Sequence, residues 1–167
     1  MKARILVAGV GNIFFGDDGF GPAVVEHLQH ERIAGVKIED YGIAGMHLAF
    51  ELLAGYERAI IVDLVARGGA AGALYVIEPE LGEPGPPPDP HRMDLVNVFA
   101  FVRTLGGTPP PIEVVGCEPQ AMDEGIGLSP PIAAAVEPAA DLVRKLIVRA
   151  LAAPQRPPEG ETTWLEA

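Results

Sequence analysis

Residues 5–12 read ILVAGVGN, a short run of apolar side chains that ends in closely spaced glycines. Because apolar residues occupy both faces of this run, it predicts a strand buried within a parallel sheet. Residues 22–30 then have the apolar spacing of a helix, and residues 36–41 alternate like a strand. A second helical pattern covers residues 46–53, and residues 59–62 are a third apolar strand. This alternation of strands and helices is typical of a three-layer α/β fold.

The second half of the chain continues the pattern with one expected exception to parallel pairing. Residues 73–77 form a fourth predicted strand, which only a loop rich in glycine and alanine, residues 66–72, separates from the third. A parallel crossover needs about a dozen residues, so we expect the fourth strand to be antiparallel. A third helix is predicted from about residue 92 to residue 105, and a fifth strand over residues 112–116.

The C-terminal region begins at Ser129, the only serine in the chain, which two prolines follow. This combination is typical of a helix N-cap. Pro138 interrupts the helical pattern, so we expect a short turn first and the main helix from Pro138 to about Leu151. We assign residues 1–152 to a single α/β domain and residues 153–167 to a proline-rich, acidic tail that we expect to be mobile.

Composition limits the classes of function. Lysine and arginine number 12 against 23 aspartates and glutamates, which gives the 167-residue chain a formal net charge of −11. Proteins that bind nucleic acid or anionic membranes usually carry the opposite balance. One cysteine excludes an internal disulfide and a four-cysteine zinc site. The sequence has neither a signal peptide pattern nor the roughly 20 consecutive apolar residues of a membrane span, and we expect a cytoplasmic protein.

Three polar side chains fall where open α/β sheets bind ligands, at the carboxyl ends of strands. Asp18 follows the first strand, Asp63 ends the third, and His91 precedes the third helix. A carboxylate at the end of an apolar strand needs a donor, a cation or a proton when it is buried. Two carboxylates and an imidazole suit Ni²⁺, Zn²⁺, Co²⁺ or Fe²⁺ and leave coordination positions open. A divalent metal site is therefore one interpretation of the three residues.

Other interpretations of these residues stay open. Asp17 and Asp18 could form a solvated acidic turn in which Asp17 caps a helix, and a loop histidine such as His91 is most often exposed. The first glycines partly match the dinucleotide fingerprint G-x-G-x-x-G, but Phe14 replaces its third glycine and two carboxylates follow where a pyrophosphate would sit. A serine hydrolase is disfavoured, because Ser129 does not lie in a G-x-S-x-G motif.

Six motifs, in this order, carry a family resemblance. They are GVGN with DDGFG (9–12 and 17–21), GIAGM (42–46), IVD (61–63), PH (90–91), GCEP (116–119) and GLSP (127–130). Together the motifs resemble those of the hydrogenase maturation endopeptidases, which trim the C-terminus of the large subunit of NiFe hydrogenases. The resemblance covers about residues 4 to 151.

The resemblance implies a fold and a set of site residues. The fold is an α/β/α sandwich around a five-stranded, mostly parallel, twisted sheet with one antiparallel strand. The metal ligands are Asp18, Asp63 and His91, the trio that the strand-end argument proposes. Asp18 and Asp63 are also the expected catalytic carboxylates, with Asp18 the candidate to accept a proton from a metal-activated water.

The resemblance also implies an activity and a partner. We expect a nickel-dependent endopeptidase that removes the C-terminal extension of a nickel-loaded NiFe-hydrogenase large-subunit precursor. The nickel arrives with the substrate, and Zn²⁺ or Cd²⁺ could occupy the same site. The alternative is a nickel checkpoint or chaperone that binds the precursor without cutting it. Gly42, Ala44 and Gly45 are expected to contact the substrate backbone, and the protein itself is expected to be a monomer that binds neither nucleic acid nor membrane.

Overall fold

The five strands found among the described residues form one sheet. A computed structural model describes residues 2–81, 87 and 94–155. The strands are β1 (Ile5–Val10), β2 (Val36–Gly42), β3 (Arg58–Leu64), β4 (Leu74–Ile77) and β5 (Ile112–Cys117). They lie in the order β2-β1-β3-β5-β4; β4 pairs antiparallel with β5, and the other pairs are parallel. The predicted sheet with one antiparallel strand is confirmed.

Helices cover both faces of this sheet. They are α1 (Phe20–Leu28), α2 (Gly45–Leu52), α3 (Leu95–Leu105) and α4 (Pro130–Ala152). Side chains alternate across the sheet, so Ile5 and Val7 of β1 join a core with α1 and α4, whereas Leu6 and Ala8 join a second core with α2 and α3. The two cores and the sheet between them make the predicted three-layer sandwich.

Two glycines let α1 approach the sheet closely. A Cβ atom on Gly21 would lie 2.3 Å from the carbonyl oxygen of Val10 and 2.4 Å from that of Val62. A Cβ atom on Gly9 would lie 2.8 Å from the carbonyl oxygen of Gly21. Glycine at both positions therefore brings the start of α1, and the turn before it, over the ends of β1 and β3.

The predicted break at Pro138 is wrong, because α4 runs without interruption from Pro130 to Ala152. A proline inside a helix removes one backbone hydrogen bond and costs about 3 kcal/mol. Here Pro138 and Ala134, whose carbonyl loses its partner, are both exposed to solvent that can hydrate the carbonyl. The buried stripe of the helix continues on both sides of the proline, and its packing against the sheet outweighs the local cost. This stripe comprises Ile132, Ala135, Ala139, Ala140, Val143, Leu146, Ile147 and Ala150.

Several expectations concern segments outside the described residues. The start of the third helix was predicted near residue 92, and the described helix begins at Leu95 with Asp94 as its N-cap. The predicted mobile tail lies mostly beyond residue 155, so its mobility stays a prediction. Among the described residues, no helix combines the length and the hydropathy that crossing a membrane requires.

Candidate functional site

A cleft of about 480 Å³ opens at the carboxyl ends of the parallel strands. Its lining includes three carboxylates, Asp18, Asp63 and Asp94. Asp18 follows β1 and Asp63 lies near the end of β3, and these strands are parallel neighbours in the sheet. The topology therefore brings the two predicted acids together in one cleft, as the strand-end rule requires.

Asp18 is held at the cleft by the turn between β1 and α1. It belongs to a short 3₁₀ helix, Gly16–Gly19, and one of its oxygens, Oδ2, accepts a hydrogen bond of 2.8 Å from the backbone N–H of Asn12. Gly11 makes this approach possible, because a Cβ atom there would lie 1.9 Å from the carbonyl oxygen of Asp18. The glycine-rich motif after β1 thus positions a carboxylate.

Asp63 has an unusual acidity for an aspartate. Desolvation by burial raises the pKa of its carboxyl to about 7, and the negative charges of Asp18 and Asp94 act in the same direction. A hydrogen bond of 2.8 Å from the backbone N–H of Leu64 to Oδ1 opposes this shift without cancelling it. Near neutral pH the cleft therefore favours a proton or a cation at this carboxyl.

Asp94 is a third cleft carboxylate that the sequence analysis missed. It is the N-cap of α3, where its Oδ1 accepts a hydrogen bond of 2.9 Å from the backbone N–H of Asn97. An aspartate just before a run with helical apolar spacing is a known N-cap signal, which could have located it. Its negative charge is one of those that act to raise the pKa of Asp63.

His91, the third predicted metal ligand, lies outside the described residues. Asp94, only three positions further along the chain, lines the cleft. Within the described part of the chain, no group of three or more histidine, cysteine, aspartate or glutamate side chains could hold a metal ion. The role of His91 as a ligand therefore stays a prediction.

Asp17 fastens the loop after β1 to the segment after β5. Its buried carboxylate accepts backbone hydrogen bonds from Gln120 (2.9 Å), Ala121 (2.6 Å) and Ser129 (2.7 Å), and one from the Ser129 hydroxyl (2.9 Å). Burial acts to raise the pKa of Asp17, but these hydrogen bonds together lower it below its ordinary value. Asp17 is therefore a buried anchor and not a solvated turn residue.

Ser129 is correctly predicted as an N-cap by position, but the expected capping bond is absent. Its side chain makes no hydrogen bond to the first turn of α4 and donates to Asp17 instead. These residues are 112 positions apart in sequence, and a lone serine gives no local signal of such a partner. The bond fixes the start of α4 next to the turn that carries Asp18.

Glu118 secures the neighbouring loop in the same manner. It follows β5, and its carboxylate accepts hydrogen bonds from the backbone of Arg67 (2.8 Å) and Gly68 (3.1 Å) and from the hydroxyl of Tyr75 (3.0 Å). This loop between β3 and β4 contributes Ala66 to the lining of the cleft. The buried carboxylates of Asp17 and Glu118 therefore hold the loops that form the walls of the cleft in place.

The loop after β2 reaches the cleft through Ile43, which lies between the predicted substrate-contacting residues Gly42 and Ala44. Ile43 lines the cleft, whereas Gly42, Ala44 and Gly45 flank it outside the lining. Gly42 adopts a left-handed φ of 50° and its carbonyl oxygen accepts a 3.0 Å hydrogen bond from the backbone N–H of Gly11. The contact of Gly42, Ala44 and Gly45 with a substrate backbone stays a prediction.

Comparisons with known proteins find relatives in sequence and in structure that belong to one family. A family model described as hydrogenase maturation protease matches residues 22–146. The hydrogenase 2 maturation protease of Escherichia coli is 35% identical over 149 residues, which cover 84% of this chain and 88% of that protein.

Solved structures agree with the sequence matches. The hydrogenase maturating endopeptidase HybD from E. coli superposes with a TM-score of 0.73 at 32% identity and covers 88% of this chain and 93% of its own. The NiFe-hydrogenase maturation protease HycI from Thermococcus kodakarensis has a TM-score of 0.70 at 26% identity, with 88% of this chain and 94% of its own covered. The chain belongs to the hydrogenase maturation protease family and is an endopeptidase.

Proposed function

We propose that this protein removes the C-terminal extension of a NiFe-hydrogenase large-subunit precursor and needs the nickel that the precursor carries. The observation that supports this most directly is the pairing of Asp18 and Asp63 in one cleft. The raised pKa of Asp63, about 7, indicates a carboxyl whose negative charge the described residues around it do not compensate. A divalent ion delivered by the substrate would supply that compensation.

The donor set fits such an ion. Asp18, Asp63 and His91 would provide two oxygen donors and one nitrogen donor, a borderline-hard set that suits Ni²⁺ and also accepts Zn²⁺ or Cd²⁺. Three protein donors leave positions open for ligands from the precursor and for water. Because the set contains no thiolate, we expect the free protein to bind these ions weakly.

Metal-assisted hydrolysis is the chemistry that the described side chains favour. The only cysteine, Cys117, is buried, and desolvation raises the pKa of its thiol to about 11, so it is a poor nucleophile. The only serine hydroxyl donates to Asp17. A divalent ion polarises a scissile carbonyl or acidifies a bound water. Asp18, with one oxygen fixed by Asn12, is our candidate to accept the proton of that water.

The experiment incubates the purified nickel-loaded precursor with the protein and measures the mass of the product. We expect the precursor to lose the mass of its C-terminal extension, and a nickel-free precursor to stay intact. Stable association without mass loss would instead support the non-cleaving checkpoint or chaperone.

Variants test the assignment of the three residues. Asp18→Asn, Asp63→Asn and His91→Ala should each impair cleavage while the variants stay folded. His30→Ala is the matched control, because His30 is exposed and lies outside the cleft lining. If His30→Ala proves as harmful as His91→Ala, the trio is misassigned. The cytoplasmic location and the monomeric state stay predictions.

A further inference from the structure

Large apolar side chains are exposed in the loops around the cleft. Phe14 is 59% exposed, Met122 is 54% exposed and Ile126 is 78% exposed. We define the apolar rim as Ile13, Phe14, Phe15, Ile43, Met122 and Ile126, all of which are exposed. Ile43 and Met122 line the cleft, and the other four lie in the loops that carry Asp18 and Met122. Single exposed apolar residues are common, but a concentration of them around a cleft is typical of a surface that binds another protein.

Backbone hydrogen bonds hold the two main loops of the apolar rim together. The N–H of Gly125 donates to the carbonyl oxygen of Phe14 at 2.8 Å, and the N–H of Gly16 donates to the carbonyl oxygen of Gly125 at 2.9 Å. The buried carboxylate of Asp17 adds its bonds to residues 120 and 121. These contacts join the two loops into one surface on which the apolar side chains of the rim are exposed.

The charge of the cleft indicates the chemistry of the partner. Its lining combines the carboxylates of Asp18, Asp63 and Asp94 with Ile43 and Met122, and it includes no lysine or arginine among the described residues. A partner that complements this surface carries a cationic group between apolar side chains. A free metal ion would use the carboxylates alone and would leave the apolar rim uncovered.

We propose that the apolar rim is a docking surface for a polypeptide segment that places a cationic group in the cleft and apolar side chains on either side of it. The occupant is the large-subunit precursor around its cut site, and in that respect the inference rests on the proposed function. The cleft carboxylates then bind the cationic group and take part in the reaction, whereas the apolar rim provides affinity for the polypeptide.

The test compares two rim variants with a matched control. Phe14→Ser and Ile126→Ser each remove an exposed apolar side chain of the rim, and Val148→Ser removes one that is 68% exposed on α4. The readouts are KM and kcat for the nickel-loaded precursor, the Kd of the same precursor by surface binding, and the affinity for Ni²⁺ alone by calorimetry. We expect each rim variant to raise KM and Kd about tenfold, as is typical when an interface anchor is truncated. We expect kcat and Ni²⁺ affinity to be unchanged in all variants, and Val148→Ser to behave like the wild type throughout.

The outcomes separate this inference from the proposed function. Rim variants that keep the wild-type KM and Kd overturn the docking surface, even if the wild type cleaves the precursor. A wild-type protein that binds the precursor but never shortens it refutes the protease proposal. In that case the Kd values of the rim variants alone show whether the rim is a docking surface. An equal loss in Val148→Ser would also overturn it. Should Phe14→Ser fail to fold, Ile126→Ser provides the same comparison at a more exposed position.

Discussion

Replacing Asp63 with asparagine should stabilise the protein at neutral pH while it impairs function. The folded protein raises the pKa of this carboxyl from 3.8 to about 7, so the folded state binds its proton more tightly than the unfolded chain does. The stabilisation from that proton is complete below about pH 4 and is lost as the pH rises through 7. Asparagine stays neutral at every pH, and its oxygen can still accept the hydrogen bond from Leu64.

The size of the effect follows from the shift. One pH unit corresponds to about 1.4 kcal/mol, so the difference between 3.8 and about 7 sets an upper limit of about 4 kcal/mol at pH 8. Part of the Asp63 side chain remains in contact with solvent, which reduces the penalty. We expect Asp63→Asn to raise the free energy of unfolding by roughly 2 kcal/mol at pH 8 and to leave it nearly unchanged at pH 4.

The assay is urea unfolding between pH 4 and pH 8, followed by circular dichroism in the presence of a chelator. The difference between variant and wild type is the quantity of interest, because carboxyls common to both proteins cancel. Glu137→Gln, an exposed substitution on α4, is the control and should show no such trend. A difference that is constant with pH, or a variant that is less stable at pH 8, would refute the claim that Asp63 is held in an unfavourable charged state.

Two further predictions concern the architecture around the site. Ser129→Ala removes a hydroxyl donor from the buried carboxylate of Asp17 and should lower the free energy of unfolding by about 2 kcal/mol. Ser129→Thr keeps a hydroxyl and should retain most of the wild-type stability. Equal free energies of unfolding in urea for the wild type and Ser129→Ala would contradict this. Gly21→Ala places a Cβ atom within 2.4 Å of two backbone oxygens and should destabilise by more than about 4 kcal/mol or prevent folding. Gly68→Ala, with a φ of 78° but no atom within 4 Å of the new Cβ, should cost only about 1 kcal/mol, and thermal unfolding midpoints compare the two.

The elements of the fold that depend on local pattern could be predicted from the sequence. The alternation of strand and helix patterns over residues 5–62 predicted the sheet, and the short link before β4 predicted its antiparallel strand. The helix across Pro138 could not be predicted, because its continuity depends on packing against a sheet that is distant in sequence. Tertiary burial outweighed a local rule at that position.

The candidate site shows the same division. Asp18 and Asp63 could be placed in one cleft because the strand-end rule depends only on topology. The bonds between Asp17 and Ser129 and between Glu118 and the β3–β4 loop link residues 50 to 112 positions apart, and no spacing within the chain reveals them. Asp94 was missed for a different reason: its N-cap signal was present, but the helix was expected to begin before it.

Anomalous diffraction at the nickel edge, from crystals grown with an excess of Ni²⁺, would show directly whether Asp18, Asp63 and His91 bind one metal ion. We expect one strong peak in the cleft, about 2.0–2.3 Å from a carboxylate oxygen of Asp18, from one of Asp63 and from an imidazole nitrogen of His91. A peak bound elsewhere, for example at His27 and His30, with both cleft carboxylates free of metal, would contradict it.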